Sequence, residues 1–521
     1  MKIVSRREMS GLEEAMHQRG ITSKALIGRV GIAISEQLKE MVEFPDTKNV
    51  AILVGPGNNG VDGLVTAPHL AAAGFSVDVF LCADKGRYDQ GLIGALGERV
   101  ECTDLTQTGL ESFEEEIHQF DIVVDALLGI GRLRRIQGVM AQVLHDVAVS
   151  FQANPERLLV AIDIPSGMDA DTGEVDDLTL RATHTLAVGN PKRGFFVSPG
   201  YRYVGAVKFL DIGINPEEGA SIQCELTGIA DFQNAKEFLH TTIDAHKGTK
   251  GHVLVIAGSS AYPGASILAA MAAYRAGCGL VTLVSPASIF PVIAGQLPEA
   301  IHVTYPDLES DGATKEAIRL IRTLEIGNYD SIVIGCGLGS GSFQSSFVKK
   351  IIEFIGNGSN SIPVVVDADA LNCLAGMDSW WQNLGKNFIL TPHPGEMGRL
   401  VLMATDDVQK KRLDIAHLLA KKVKQITVLK GAFTVIADRE GNTYVNPHAT
   451  SVLATAGTGD VLAGLIGSFL SQGLPQLLAV KLAVYVHGQA GEELGGIVGQ
   501  RGVIASDVAN YLPQVINKLM A

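Results

Sequence analysis

The chain has 521 residues, 46% of them hydrophobic and 19% charged, with a formal charge of −14. That length exceeds what one hydrophobic core accommodates, so two domains are expected, and the acidic balance argues against nucleic acid, whose phosphates need clustered Lys and Arg. Glycine is in excess, at 58 residues against a usual share of roughly 7%, and much of it follows apolar runs, where α/β proteins bind nucleotides.

The opening MKIVSRREMSGLEEAMHQRG lacks the apolar stretch of a signal peptide. No apolar run reaches the roughly 18 residues of a membrane span. The six cysteines (82, 102, 224, 278, 336 and 373) form no C-x-x-C pair. The expectation is a cytoplasmic protein without disulfides or a zinc site.

Residues 6–43 carry apolar positions three and four apart and predict helix. β-rich runs then alternate with helical stretches: NVAILV (49–54), FSVDVFL (75–81), FDIVVD (120–125), RLLVAID (157–163) and THTLAV (183–188). Such strands imply a parallel sheet covered on both faces. The series closes near VKFLDIGINPEEG (207–219). A second series follows in HVLVIA (252–257), LVTLVS (280–285), DSIVIG (330–335), PVVVDA (363–368), FILTP (388–392) and ITVLKG (426–431), with helices at 458–471, 475–494 and 505–519. The boundary falls within 220–240, and we divide the chain into 1–222 and 223–521.

In the second half, Ala456-Gly457-Thr458-Gly459-Asp460 precedes a helical stretch. Glycines there leave amides facing outward, and the helix dipole adds positive potential, a nest for a phosphoryl group. Asp460 beside it could take a proton from an attacking hydroxyl; alone, the motif reads equally well as a helix cap. Four further loops follow apolar strands: Gly258 to Ala265, Gly335-Cys-Gly337-Leu-Gly339, Asp367-Ala-Asp369-Ala-Leu-Asn372, and Thr391-Pro-His393-Pro-Gly-Glu396. Lys430-Gly431-Ala432-Phe433-Thr434 follows another strand. Open α/β sheets bind ligands at the carboxyl ends of their strands, so these loops converge.

HKGTKGHVLVIAGSS, YPGA, GCGLG, VVVDADALN, LTPHPGEM, LKGAFT, AGTGDVLAG and YVHGQAG, in this order from about 244 to 491, resemble the ADP/ATP-dependent NAD(P)H-hydrate dehydratase family. The resemblance implies a ribokinase-like three-layer sandwich. It implies ADP or ATP against Lys430, Gly431, Ala432, Phe433, Thr434 and Gly459, and the hydrated cofactor near Ala265, Gly337, Gly339, His393 and Asp460. It implies phosphorylation of the hydrate's C6 hydroxyl, with Asp460 as base, then loss of phosphate. Mg²⁺ is expected with the nucleotide, with Asp367 and Glu396 as outer-shell candidates. His487, on a helical stretch, reads as a packing histidine.

In the first half, VAILVGPGNNGVDGLVTA is strand, Gly/Asn-rich loop and helix, an arrangement that cradles phosphate without being a P-loop or a full G-x-G-x-x-G. VVDALLGIGRLRR places Asp125 at a strand end, and AIDIPSGMDADTGE places Asp163 and Ser166 at another. With GNPKRGF (189–195) and DIGI (211–214), these motifs resemble the NAD(P)H-hydrate epimerase family of Rossmann-like three-layer domains. The resemblance implies K⁺ at Asn59, Asp125 and Ser166. It places substrate at Asn58, Asn59, Gly60, Val61 and Asp62, at Gly129, Ile130, Gly131, Arg132, Leu133, Arg134 and Arg135, and at Asp163, with Asp163 and Lys192 doing acid/base work. Val61 stands where the family has glycine and Ile130 where it has threonine. A β-branched Val61 would be strained if the loop needed positive φ there.

The whole then reads as a homo-oligomeric enzyme that repairs hydrated NAD(P)H, with no membrane or nucleic-acid partner. The alternative is a ribokinase-like kinase of a vitamin-type alcohol with a non-catalytic N-terminal binding or assembly domain.

Overall fold

The computed structural model describes all residues except 43–47, 109, 132–134, 216–217, 219–220, 241, 358–361 and 521. Expectations for position 43, for Arg132, Leu133 and Arg134, and for the tail of the 207–219 segment fall outside the described residues. The chain divides into two compact units, Met1–Gln223 and Cys224–Ala521.

The first unit opens with two helices, Arg6–Gln18 and Ser23–Glu40, rather than one continuous stretch. Ser5 and Glu8 form a reciprocal capping box that starts the first helix. Gly20, at φ +87°, ends it, since that backbone is open chiefly to glycine. Seven strands follow: β1 (Asn49–Val54), β2 (Ser76–Leu81), β3 (Val100–Asp104), β4 (Ile122–Ala126), β5 (Leu158–Ile162), β6 (His184–Val188) and β7 (Ala206–Leu210). They form a parallel sheet in the order β3-β2-β1-β4-β5-β6-β7. Alternation along β1 shows why it is three-layered. Val50, Ile52 and Val54 pack with Leu64 and Leu70 of the helix Asn58–Ala72. Ala51 and Leu53 pack with Val143 and Val147 of the helix Val139–Ala153 on the other face. The order in which successive strands are added reverses between the parallel β1 and β4, the place where such sheets open a crevice at their carboxyl ends.

The second unit holds ten strands: β8 (Cys224–Leu226), β9 (His252–Ile256), β10 (Leu280–Pro286), β11 (Ile301–Tyr305), β12 (Ser331–Ile334), β13 (Val364–Val366), β14 (Phe388–Leu390), β15 (Ile426–Leu429), β16 (Val435–Ala437) and β17 (Thr443–Val445). Their order is β11-β10-β9-β12-β13-β14-β15-β16-β17-β8. The run β11 to β15 is parallel, whereas β15–β16 and β16–β17 are antiparallel. Val253, Val255, Val333, Val365 and Val428 share one core with the helices Pro263–Arg275, Thr458–Ser471, Gln476–Ile497 and Ala505–Met520. The alternate residues Leu254, Ile256, Ile332 and Ile334 are equally buried, so both faces are covered. Helix Thr458–Ser471 lies unusually close to Pro263–Arg275: a Cβ on Gly464 would come within 2.0 Å of the Ala269 carbonyl oxygen. That contact fixes where the Asp460 end of the helix sits. No helix among the described residues is long and apolar enough to cross a membrane.

Candidate functional site

In the second unit the strand order reverses between the parallel β9 and β12. There the Gly258 amide donates to the Cys336 carbonyl at 2.8 Å, joining the loops after these strands. A Cβ on Gly337 would come within 2.7 Å of the Ala265 Cβ, so the backbone of one loop rests directly on the next helix. Gly339 N–H donates to Asp369 Oδ2 at 2.8 Å, which ties that loop to the one after β13.

Lys430, at the end of β15, reaches across the sheet to Asp367, at the end of β13, with Nζ 2.5 Å from Oδ1. The same carboxylate oxygen accepts the Thr391 hydroxyl at 2.8 Å. Burial alone would make Lys430 less basic, but the carboxylates of Asp367 and Glu396 outweigh it and raise its pKa, keeping it an ammonium. A Cβ on Gly459 would lie 3.2 Å from Nζ, so the lysine comes close to the first turn of helix Thr458–Ser471. Gly457 caps that helix at φ +92°, and the first amides of a helix lack intrahelical partners. An ammonium and outward amides thus face one space.

Asp460 sits in that first turn. Its carboxylate lies with Cys336 Sγ and Asp367 in a cluster whose ligand atoms are all within 4.8 Å. Burial first, and then the Asp367 charge, push Asp460 up to about 7. Burial likewise pushes Glu396 up to about 7 against the pull of Lys430. His393 caps helix Pro394–Val401, its Nδ1 accepting from Gly395 N–H at 3.0 Å while Glu396 accepts from His393 N–H at 2.8 Å. Burial and the nearby Lys430 lower the His393 pKa.

Lys430, Gly431, Ala432, Thr434, Gly459 and His393 line a cavity of about 340 Å³. Phe433, Ala265, Gly337, Gly339 and Asp460 do not line it. Gly337 and Gly339 belong to the loop after β12, Ala265 packs against Gly337, and Asp460 sits against Cys336 of the same loop. His487 lines the cavity and is buried, its Nε2 2.9 Å from the Thr458 carbonyl, with burial holding its pKa down near about 4. That is the packing histidine of the sequence reading. A thiol suits Mg²⁺ poorly, so the Cys336 cluster is a weak Mg²⁺ cage. Asp367 and Glu396, which sit around Lys430, fit outer-shell roles toward a metal carried by a nucleotide.

Several residues of this site carry no sequence signal. Arg412, on helix Arg412–Val423, is almost wholly buried and donates to the carbonyls of Leu429, Lys430 and Ala432. It therefore holds the loop that carries Lys430. Thr391 and Cys336 lay within quoted motifs, but nothing in the motifs pointed to their contacts with the two carboxylates.

In the first unit, Asn59 is buried at the start of helix Asn58–Ala72, its Nδ2 donating to the Leu128 carbonyl at 3.0 Å. Asp125 accepts from the Ser166 hydroxyl at 2.6 Å and the Ser166 amide at 2.8 Å. Leu128 N–H donates to Ser166 Oγ at 2.8 Å. Asn59, Asp125 and Ser166 are thus brought together around Leu128. Asp125 is fully buried, and burial raises its pKa despite the hydrogen bonds from Ser166. Carboxylate, hydroxyl, amide and carbonyl oxygens with no cationic partner among the described residues are a donor set that fits a hard monovalent ion.

Beside this group, the fully buried Lys192 donates to Asp163 and, at 2.9 Å, to the Val188 carbonyl. Backbone bonds from Val4 N–H to Pro191 (2.9 Å) and from Arg193 N–H to Val4 (3.0 Å) clamp the lysine's loop. Burial, then the charges of Asp163 and Glu13, push Asp62 up to about 8. Glu13, from the first helix, was not foreseen. Val61 lies within helix Asn58–Ala72 and has no positive φ, so the strain considered for it does not arise. Gly60 is the position that needs glycine: a Cβ there would meet the Gly55 carbonyl oxygen at 1.8 Å. Ile130 packs against the core, and Gly131 and Arg135 are exposed.

Comparison with known proteins matches residues 253–514 to the family model described as NAD(P)H-hydrate dehydratase, and residues 23–194 to that described as YjeF-related protein N-terminus. The bifunctional NAD(P)H-hydrate repair enzyme of Moorella thermoacetica is 33% identical over 100% of this chain and 97% of its own. That of Dictyoglomus turgidum is 32% identical over 100% and 99%. Among solved structures, an ADP/ATP-dependent NAD(P)H-hydrate dehydratase from Bacillus subtilis, co-crystallised with ATP/Mg²⁺, is 30% identical, covering 55% of this chain and 97% of that one, with a TM-score of 0.47.

The raised Asp460 pKa has a consequence for stability. The unfolded carboxyl titrates near 3.8 and the folded one near about 7, so the folded state binds the extra proton between these values. Its stabilisation is fully present below the lower value and is lost as pH rises through the upper one. From about pH 4 to about pH 7, wild type should lose on the order of 1–3 kcal/mol relative to Asp460→Asn. Denaturant unfolding across that range measures it; parallel pH profiles would contradict it.

Proposed function

The chain belongs to the family of bifunctional NAD(P)H-hydrate repair enzymes, and from that premise we propose that the second unit dehydrates hydrated NAD(P)H at the expense of ADP or ATP while the first interconverts the hydrate's epimers. The observation that carries the dehydratase reading is the position of Asp460: a carboxylate with a pKa of about 7, in the first turn of a helix whose amides, with Lys430, face the cavity.

The nucleotide would lie against Lys430, Gly431, Ala432, Phe433, Thr434 and Gly459, its phosphates toward the Lys430 ammonium and the helix amides. The hydrate would lie near Ala265, Gly337, Gly339, His393 and Asp460. Asp460 takes the proton of the C6 hydroxyl as that oxygen attacks the terminal phosphoryl group. Phosphate then leaves with the C6–O bond, and the ring double bond is restored as the neighbouring carbon loses a proton. A base works best when its pKa lies near the working pH, which burial beside Asp367 provides. Mg²⁺ arriving with the nucleotide would neutralise phosphate charge, with Asp367 and Glu396 in its outer shell. In the first unit, Asn59, Asp125 and Ser166 would hold K⁺, which balances the buried Asp125 carboxylate and favours an anionic substrate. Asn58, Gly60, Val61, Asp62, Gly129 to Arg135 and Asp163 would receive the substrate. Lys192 and Asp163, already in contact, would exchange protons with the ring. A homo-oligomeric, cytoplasmic enzyme completes the proposal.

Asp460→Asn should lower dehydratase turnover by roughly 10²–10⁴-fold with little change in nucleotide affinity. Near-normal turnover in the folded variant would return Asp460 to a capping role. Epimerisation has its own test, because the dehydratase family acts on one C6 epimer. Wild type should consume a racemic hydrate completely, whereas Asp125→Ala should stall near half after a normal first phase. That first phase shows the second unit is intact, and an unchanged circular dichroism spectrum shows the first is folded; a stall in wild type as well would mean the first unit is inert.

A further inference from the structure

The cavity also holds two acceptors that the described residues leave unmet. Part of its lining is apolar, from Leu453, Ala454, Leu462 and Val484. Asn446 and His448, only 3% and 9% exposed, line it too. Asn446 Oδ1 and His448 Nε2 are buried and have no hydrogen-bond partner among the described residues. Buried polar atoms are rarely left so, and two on one cavity wall point to a ligand that completes them.

The surroundings fix which nitrogen of the His448 ring is free. His448 Nδ1 lies 2.8 Å from Glu492 Oε2, and a carboxylate can only accept. Nδ1 therefore carries the proton, and in the neutral ring Nε2 is the acceptor. Tyr485 meets the ring edge to face, with centroids 4.7 Å apart. On the helix side, a Cβ on Gly488 would approach His448 Cβ at 2.7 Å and Asn446 Nδ2 at 2.8 Å. The pair can seat only because that helix position is glycine. The backbone binds the same segment to the Lys430 loop, with Asn446 N–H donating to the Thr434 carbonyl at 2.9 Å and Phe433 N–H to the His448 carbonyl at 3.1 Å. These bonds tie the segment bearing Asn446 and His448 to the loop bearing Lys430.

We propose that Asn446 and His448, the latter oriented by Glu492, form the base-reading subsite of the nucleotide cavity and select adenine through its exocyclic amino group. This rests on the nucleotide reading above. With phosphates at Lys430 and Gly459, the planar base lies between the apolar walls, and its amino group supplies the donor that both acceptors lack. A 6-oxo purine presents an acceptor at that position and leaves them unmet.

Isothermal titration of the full chain with ADP and with inosine diphosphate, which differ at that purine position, tests the assignment. Wild type should bind ADP roughly 10- to 100-fold more tightly. In His448→Leu the preference should fall toward unity, through weaker ADP binding and unchanged inosine diphosphate binding. Equal affinities in wild type, or an equal loss for both ligands in the variant, would overturn the proposal. Should the variant not fold, the wild-type ratio decides alone. If wild type binds neither nucleotide, the nucleotide reading of the cavity itself falls, and this inference with it.

Discussion

The ion pair between Lys430 and Asp367 is the interaction on which the second unit's site depends. It joins the carboxyl ends of two parallel strands that are separated in the sheet by a third, β14. A buried ammonium is tolerable only with such a partner, and a buried carboxylate likewise. Removing either would leave the other charge uncompensated, at a cost typically of about 3–5 kcal/mol. The pair also sets the proton affinities around it. The Asp367 charge raises Asp460 and Glu396, while Lys430 lowers both. Because burial is the largest cause in each case, the dryness of the site does most of the tuning and the ion pair trims it.

That pair needs its loops held still. Arg412 does this from behind by filling the carbonyls of Leu429, Lys430 and Ala432, and the β16–β17 hairpin does it from the side. The helix bearing Asp460 is set by its close approach to Pro263–Arg275 at Gly464. The first unit uses the same logic with different chemistry. A fully buried lysine is paired with Asp163, and a buried carboxylate, Asp125, accepts hydrogen bonds from the Ser166 hydroxyl and amide.

The interior of both sheets was legible in the sequence because buried parallel strands are continuous apolar runs. β1, β9 and β15 begin where those runs begin. The edges were not. VECTD in β3 and IHVTY in β11 are largely exposed or half-buried, so their composition resembles loop. The turn of direction after β15 was also hidden, since Lys430 to Thr434 reads as another strand-to-helix loop until β16 pairs back antiparallel. Motif residues such as Asp460, Lys430, Asn59, Asp125 and Ser166 stood out as candidates because glycine-rich loops at strand ends mark them. Arg412, Glu13 and His448 were not, because their roles come from contacts with distant residues and no local pattern encodes them. At Val61 the sequence raised a strain that the helix removes.

If the proposed function holds, this chain restores reduced cofactor from its hydrate only when a nucleotide is present. Incubating the full chain with chemically hydrated NADH, with ADP, with ATP and with neither, and following absorbance at the dihydronicotinamide band, measures this. Recovery is expected with at least one nucleotide and not without. Recovery in the absence of nucleotide, or none with either, would contradict it.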